Sequence, residues 1–63
     1  MSSYEHLRQK YKKLLLSKKE TAEELNISQA TLDRLRKSGE IQSKRIGGGV
    51  FFHISQICDL IDS

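Results

Sequence analysis

The sequence predicts a mainly α domain with a small two-stranded β-hairpin, and three observations carry that expectation. Four serines, Ser2, Ser17, Ser28 and Ser55, each stand just ahead of a segment whose apolar residues recur at helical spacing. A glycine run, Gly47-Gly48-Gly49, divides two short β-prone segments. With 63 residues and a single cysteine, the chain must fold around one compact core with no internal disulfide.

Ser2-Ser3-Tyr4-Glu5 has capping-box spacing, with Ser2 as N-cap and Glu5 three residues on. Tyr4, Leu7, Tyr11, Leu14 and Leu15 follow at helical spacing, with Arg8, Lys10, Lys12 and Lys13 between them. This predicts an extra N-terminal amphipathic helix within residues 1–14, running from Ser3 to about Leu14. Its apolar stripe packs on the main domain, residues 15–63, rather than on a membrane. Ser17 and Glu20 form a second capping box, and Leu16 takes the hydrophobic-staple position before the cap. That helix carries Thr21, Ala22 and Leu25 and stops at Asn26, which tolerates a left-handed backbone. Ser28 caps the next helix, 29–37, with Leu32 and Leu35 turned inward, and Gly39 supplies its left-handed terminus. Beyond Gly39 the period changes to two β-prone runs, 41–46 and 50–54, around the three glycines. Ser55 is expected to cap a last helix with Ile57, Cys58 and Ile61 on one face.

The spacing from Thr21 to Leu35 is the strongest pattern. Ala22 is small where two helices cross closely, Asn26 and Ile27 make the turn, and Leu32 and Leu35 bury the second helix. Helices crossing at about 90–120° through a three-to-four-residue turn need this arrangement. With Leu32 and Leu35 inward, the second helix turns Gln29, Ala30, Asp33, Arg34 and Lys37 outward, with Arg36 at the edge. Gln pairs well with adenine, Arg with guanine and Asp with the cytosine amino group in a major groove. Gln29, Ala30, Asp33 and Arg34 are therefore expected near bases, and Arg36 and Lys37 near phosphate, as are Lys44 and Arg45 on the hairpin.

Composition narrows the function without choosing it. Eleven Lys and Arg against eight Asp and Glu give a net charge of +3 and a pI of about 9.3. That is a mild argument for a polyanionic partner. His6 and His53 stand far apart without thiol partners, so no metal site is expected. The glycine run leads from strand to strand rather than into a helix, unlike a nucleotide loop. No motif gathers Ser, His and Asp into a triad. An enzyme, a cofactor and a small-molecule ligand are thus not expected. His53 is expected on the exposed side of the hairpin and Cys58 in the core. No apolar run reaches bilayer length, and a lone cysteine fits a reducing compartment, so a cytoplasmic protein is the expectation. The competing reading is a protein-interaction module that docks on a recombinase, terminase or replication partner.

Residues 15–57 resemble the excisionase-like (MerR-type) winged helix-turn-helix DNA-binding domains. The resemblance lies in Leu16-Ser17-Lys18-Lys19-Glu20-Thr21-Ala22-Glu23-Glu24-Leu25-Asn26-Ile27-Ser28, Thr31-Leu32-Asp33-Arg34-Leu35 and Gly39-Glu40-Ile41. It continues through Arg45-Ile46-Gly47, Phe52 and Ser55-Gln56-Ile57. It implies double-stranded DNA as partner, a recognition helix in the major groove, and a wing over the adjoining backbone or minor groove. It also implies a part in site-specific recombination or transcription regulation, often for a mobile element, with a recombinase or another copy alongside on the DNA. Arg34 matches the family's mid-helix arginine and Arg45 its wing arginine. Gly48 and Gly49 depart from the basic wing tip of many relatives. The sequence shows no long dimerisation helix after the domain, so a monomer that binds DNA cooperatively is expected rather than an effector-sensing regulator.

Overall fold

The computed structural model describes residues 2–62. Its elements are α1 (Ser3–Tyr11), β1 (Leu15–Ser17), α2 (Lys18–Leu25), α3 (Gln29–Lys37), β2 (Lys44–Ile46), β3 (Gly49–His53) and α4 (Ile54–Asp62). This is the mainly α class with a hairpin that the sequence predicts, with one strand more. β1 joins the hairpin antiparallel to β3, Leu16 opposite Phe52, while β2 pairs on the other side with Arg45 opposite Val50. Ser63, the far end of the expected main domain, lies outside the described residues.

The third strand exists because α1 stops early. Ser2 caps it as expected, its Oγ accepting the Glu5 N–H at 3.2 Å. Lys12 then takes a left-handed conformation, φ 55° and ψ 32°, and its N–H donates to the Arg8 carbonyl at 2.8 Å. The helix therefore ends at Tyr11 rather than near Leu14, and Leu14 and Leu15 leave its apolar stripe. Leu15 enters β1, where β3 supplies the backbone partners that a longer helix would have supplied. Leu14 is exposed, and its carbonyl accepts the Ile54 N–H at 2.9 Å.

From Ser17 onward local chemistry and structure agree. The Glu20 N–H donates to Ser17 Oγ at 3.1 Å and the Ser17 N–H to Glu20 Oε1 at 2.9 Å, a complete capping box. α2 ends on left-handed Asn26, φ 57°. The Asn26 N–H bonds the Glu23 carbonyl at 3.1 Å and the Ile27 N–H the Ala22 carbonyl at 3.0 Å, the paired bonds of a Schellman terminus. Ser28 Oγ accepts the Thr31 N–H at 3.1 Å and starts α3. α3 closes the same way: Gly39 sits at φ 86°, with Gly39 N–H to Arg36 at 3.2 Å and Glu40 N–H to Leu35 at 3.0 Å. The turn between the two helices is thus fixed at both ends by hydrogen bonds.

One core serves every element except β2. Leu7 of α1, Leu16 of β1, Ala22 of α2, Leu32 of α3, Ile41, Phe52 of β3, and Ile54, Ile57 and Cys58 of α4 are buried together. Leu25, Ile27 and Leu35 pack against them. β2 buries none of its side chains and pairs with β3 at the edge of the sheet. The hairpin turns through Gly47 and Gly48, with Gly49 already in the strand. Gly47 has φ 59°, as the first central residue of a two-residue II′ turn requires.

Two expectations about α4 need correction. The helix begins at Ile54, directly after β3, and its cap is His53 rather than Ser55. His53 Nδ1 accepts the Ser55 N–H at 3.0 Å and lies 2.8 Å from Ser55 Oγ. An accepting Nδ1 puts the ring proton on Nε2. His53 is therefore half-buried structural support, not an exposed wing residue. Ile61 is 46 % exposed and off the buried face, which Ile54, Ile57 and Cys58 form.

Candidate nucleic-acid interface

α3 has nine residues, Gln29–Lys37, and its sides differ sharply. Leu32 is fully buried and Leu35 half-buried, while Gln29, Ala30, Arg34 and Lys37 are exposed along the opposite side. A helical period of 3.6 puts Arg34, two residues past Leu32, on the far side of the cylinder. Four of the five residues expected outward are exposed, with the N-terminal end of the row set by the Ser28 cap; Asp33, the fifth, is half-buried and ion-paired.

Arg34 is not loose on that surface. Its Nη2 donates to Thr31 Oγ1 at 3.1 Å, and Ser28 Oγ lies 3.0 Å from the same hydroxyl. Cap, Thr31 and Arg34 form a chain that aims the guanidinium and leaves its remaining donors outward. Thr31 is a residue that pattern reading passed over. Thr at that position reads as helix filler until Arg34 is seen to lean on it.

Asp33 and Arg36 have a different setting. Asp33 Oδ1 accepts from Arg36 Nη2 at 3.1 Å, and Oδ2 accepts from Lys18 Nζ at 3.2 Å. Arg36 and then Lys18 hold the Asp33 carboxyl below the usual carboxylate range. Arg36 also has its Nε buried without an acceptor among the described residues. Lys18, the first residue of α2, was missed by sequence reading because its partner lies 15 positions away.

Lys44 and Arg45 sit exposed on β2, with Ile46 52 % exposed beside the turn. In the pleat Arg45 shares the Val50 and Phe52 side of the sheet, whereas Lys44 shares the Phe51 side. The cations therefore leave the hairpin in two directions. No group of three or more His, Cys, Asp or Glu among the described residues could hold a metal ion. No helix among them is long and apolar enough to cross a membrane.

A capped two-helix turn, an outward polar helix face and a β-hairpin with exposed cations define a small winged helix-turn-helix unit. The family model described as "Helix-turn-helix domain" matches residues 15–62, from β1 through α4, and the chain belongs to that family. No curated protein and no solved structure matches the chain. α1 precedes the matched region, yet Leu7 lies in the shared core.

Proposed function

We propose that this domain binds double-stranded DNA in a sequence-directed way, with α3 in the major groove and the β2–β3 hairpin as a wing on the adjoining backbone. The observation that carries the reading is the exposed row of Gln29, Ala30, Arg34 and Lys37 on a capped helix of a helix-turn-helix domain. Gln29 and Arg34 offer bidentate hydrogen bonds to adenine and guanine edges, and Ala30 permits close approach or contact with a thymine methyl. Lys37, Lys44 and Arg45 meet phosphate. In its host the domain acts in the cytoplasm as an excisionase-like architectural factor or a small transcription regulator, with a recombinase or a second copy as neighbour on the DNA.

Selection of bound sequences from a random duplex pool, followed by salt titration on the selected site, tests this. About four neutralised phosphates give a log K against log salt slope of roughly −4. A pool from which no sequence is enriched, or a slope near zero, would overturn this reading and favour the competing one, docking on a protein partner.

A further inference from the structure

The carboxylate of Asp33 stands on the helix that would read DNA, where an anion repels phosphate, and yet both of its oxygens are occupied. Lys18 approaches from the first turn of α2 at 3.2 Å and Arg36 from the last turn of α3 at 3.1 Å. All three side chains are partly covered, with relative exposures of 32 %, 30 % and 25 % for Lys18, Asp33 and Arg36. One bond ties the two helices of the motif together; the other ties the C-terminal half of α3 to its middle. With Arg36 Nε buried and Nη2 on Asp33, that guanidinium has little freedom of aim.

We infer that Asp33 is a positioning residue for specificity: it holds Lys18 and Arg36 in fixed places and half-neutralises them, so that α3 discriminates by its base-facing row rather than by charge. This rests on the reading of α3 as a recognition helix. The triad carries one net positive charge where two unrestrained cations would carry two. On a random duplex no base contact fixes the register, so a freed cation can settle on phosphate, which steepens the salt slope there by about 0.9. On the preferred site the base contacts hold α3 in register and the gain is smaller, so the ratio of specific to non-specific affinity falls. To accept a hydrogen bond from a cytosine amino group, Asp33 would have to release one of its cations.

The test compares wild type, Asp33→Asn and Asp33→Glu on the selected site, on single-base variants of it and on a random duplex, each over a salt series. Asp33→Asn keeps the shape and removes the charge. It is expected to steepen the slope by about one and to tighten random-duplex binding roughly eightfold at about 0.1 M salt relative to 1 M. The specific-to-random ratio falls, by up to that factor, with no change in the preferred base at any position. Asp33→Glu, which restores the charge, keeps the wild-type slope. If Asp33→Asn loses preference at one base pair and keeps its slope, Asp33 reads a base and the inference is wrong. Unchanged slope and unchanged preference overturn it equally. Should Asp33→Asn be unfolded at the assay temperature, Lys18→Gln and Arg36→Gln carry the question from the cation side. Each leaves Asp33 with a single cation and takes the net charge of the group from one to zero. Each must therefore flatten the random-duplex slope and raise the specific-to-random ratio without changing the preferred base; a slope and ratio equal to wild type in both overturn the inference. Failure of the wild-type chain to bind any duplex would remove the DNA-binding reading itself. Wild-type binding with an unaltered Asp33→Asn removes only the role given to Asp33.

Discussion

Thr21 is fully buried in the first half of α2, and its hydroxyl has no hydrogen-bond partner among the described residues. A buried, unmade hydrogen bond costs about 1–3 kcal/mol, and replacing the group by an apolar one of the same shape removes that cost. Thr21→Val should therefore stabilise the domain by about 1 kcal/mol, which for a chain of this size raises the melting temperature by about 4–8 °C. A thermal melt at or below the wild-type value would show that the hydroxyl is satisfied in solution. Cys58 is the quieter neighbour: burial, and then Asp62 and Asp59, push its thiol up, as suits a core side chain rather than a nucleophile. On the surface, Arg34 and Lys44 separate base reading from backbone positioning. Arg34 is braced by Thr31 and presents a planar fork, whereas Lys44 is an exposed point charge on an edge strand. Arg34→Ala should cost about 1–3 kcal/mol on the preferred site and relax the choice at one base pair. Lys44→Ala should weaken all duplexes alike and leave their ranking unchanged. Competition against a panel of single-base variants decides, and equal losses on every duplex for Arg34→Ala would mean that it contacts phosphate.

Among the elements, those closed locally by residues with familiar capping roles were legible in the sequence, and those closed by distant pairing or by an uncommon capping residue, as at Lys12 and His53, were not. Ser17 with Glu20, Asn26, Ser28 and Gly39 act within a few residues of themselves, so α2, the turn and α3 could be placed from spacing alone. β1 could not. Leu14-Leu15-Leu16 is apolar at every position, which fits a helix or a strand equally, and the deciding partner, Phe52, is far along the chain. The cap of α4 was missed because histidine is not among the usual N-cap residues, and Ser55 stood ready as a more familiar choice. The outward row of α3 was readable from its period, but the ion pairs that occupy Asp33 and Arg36 were not, since Lys18 belongs to another helix. The wing offers a gain-of-function test at its own scale. Gly48 has no positive φ, and a Cβ there would meet nothing within 4 Å, so a side chain fits without strain. Gly48→Arg should leave the melting temperature unchanged and, with the wing on DNA, steepen the salt slope by about 0.9. An unchanged slope would place the hairpin tip away from the phosphates.

At the scale of the whole domain, the Cα trace of the described residues spans 30 × 26 × 17 Å, and α1, which precedes the family match, contributes to its core. α1 is tied to the rest of this unit through its core residue and its polar contacts. Its braces are visible. Leu7 enters the core, Ser3 Oγ donates to Asp62 at 2.9 Å, and Lys10 Nζ and Tyr11 Oη both donate to Glu24 Oε1 at 2.8 Å. Lys10, against the opposing effect of burial and with help from Tyr11, holds the Glu24 carboxyl below the usual glutamate range. The Ser17 N–H and then Lys13 do the same for Glu20. A carboxyl whose folded pKa is depressed contributes stability above its unfolded pKa and loses that contribution as pH falls through the folded value. The melting temperature should therefore hold steady from about pH 7 to the ordinary glutamate value of about 4.3, then decline as both groups are protonated. Glu24→Gln removes one of the two. It should lower the melting temperature near neutral pH and converge on wild type once the pH falls below the depressed folded pKa of Glu24, where the wild-type group has also lost its charge. Thermal melts of both proteins across that range test the brace. A difference that stays constant with pH would mean that Glu24 acts through shape and neutral hydrogen bonding, and that α1 is held to α2 without the help of charge.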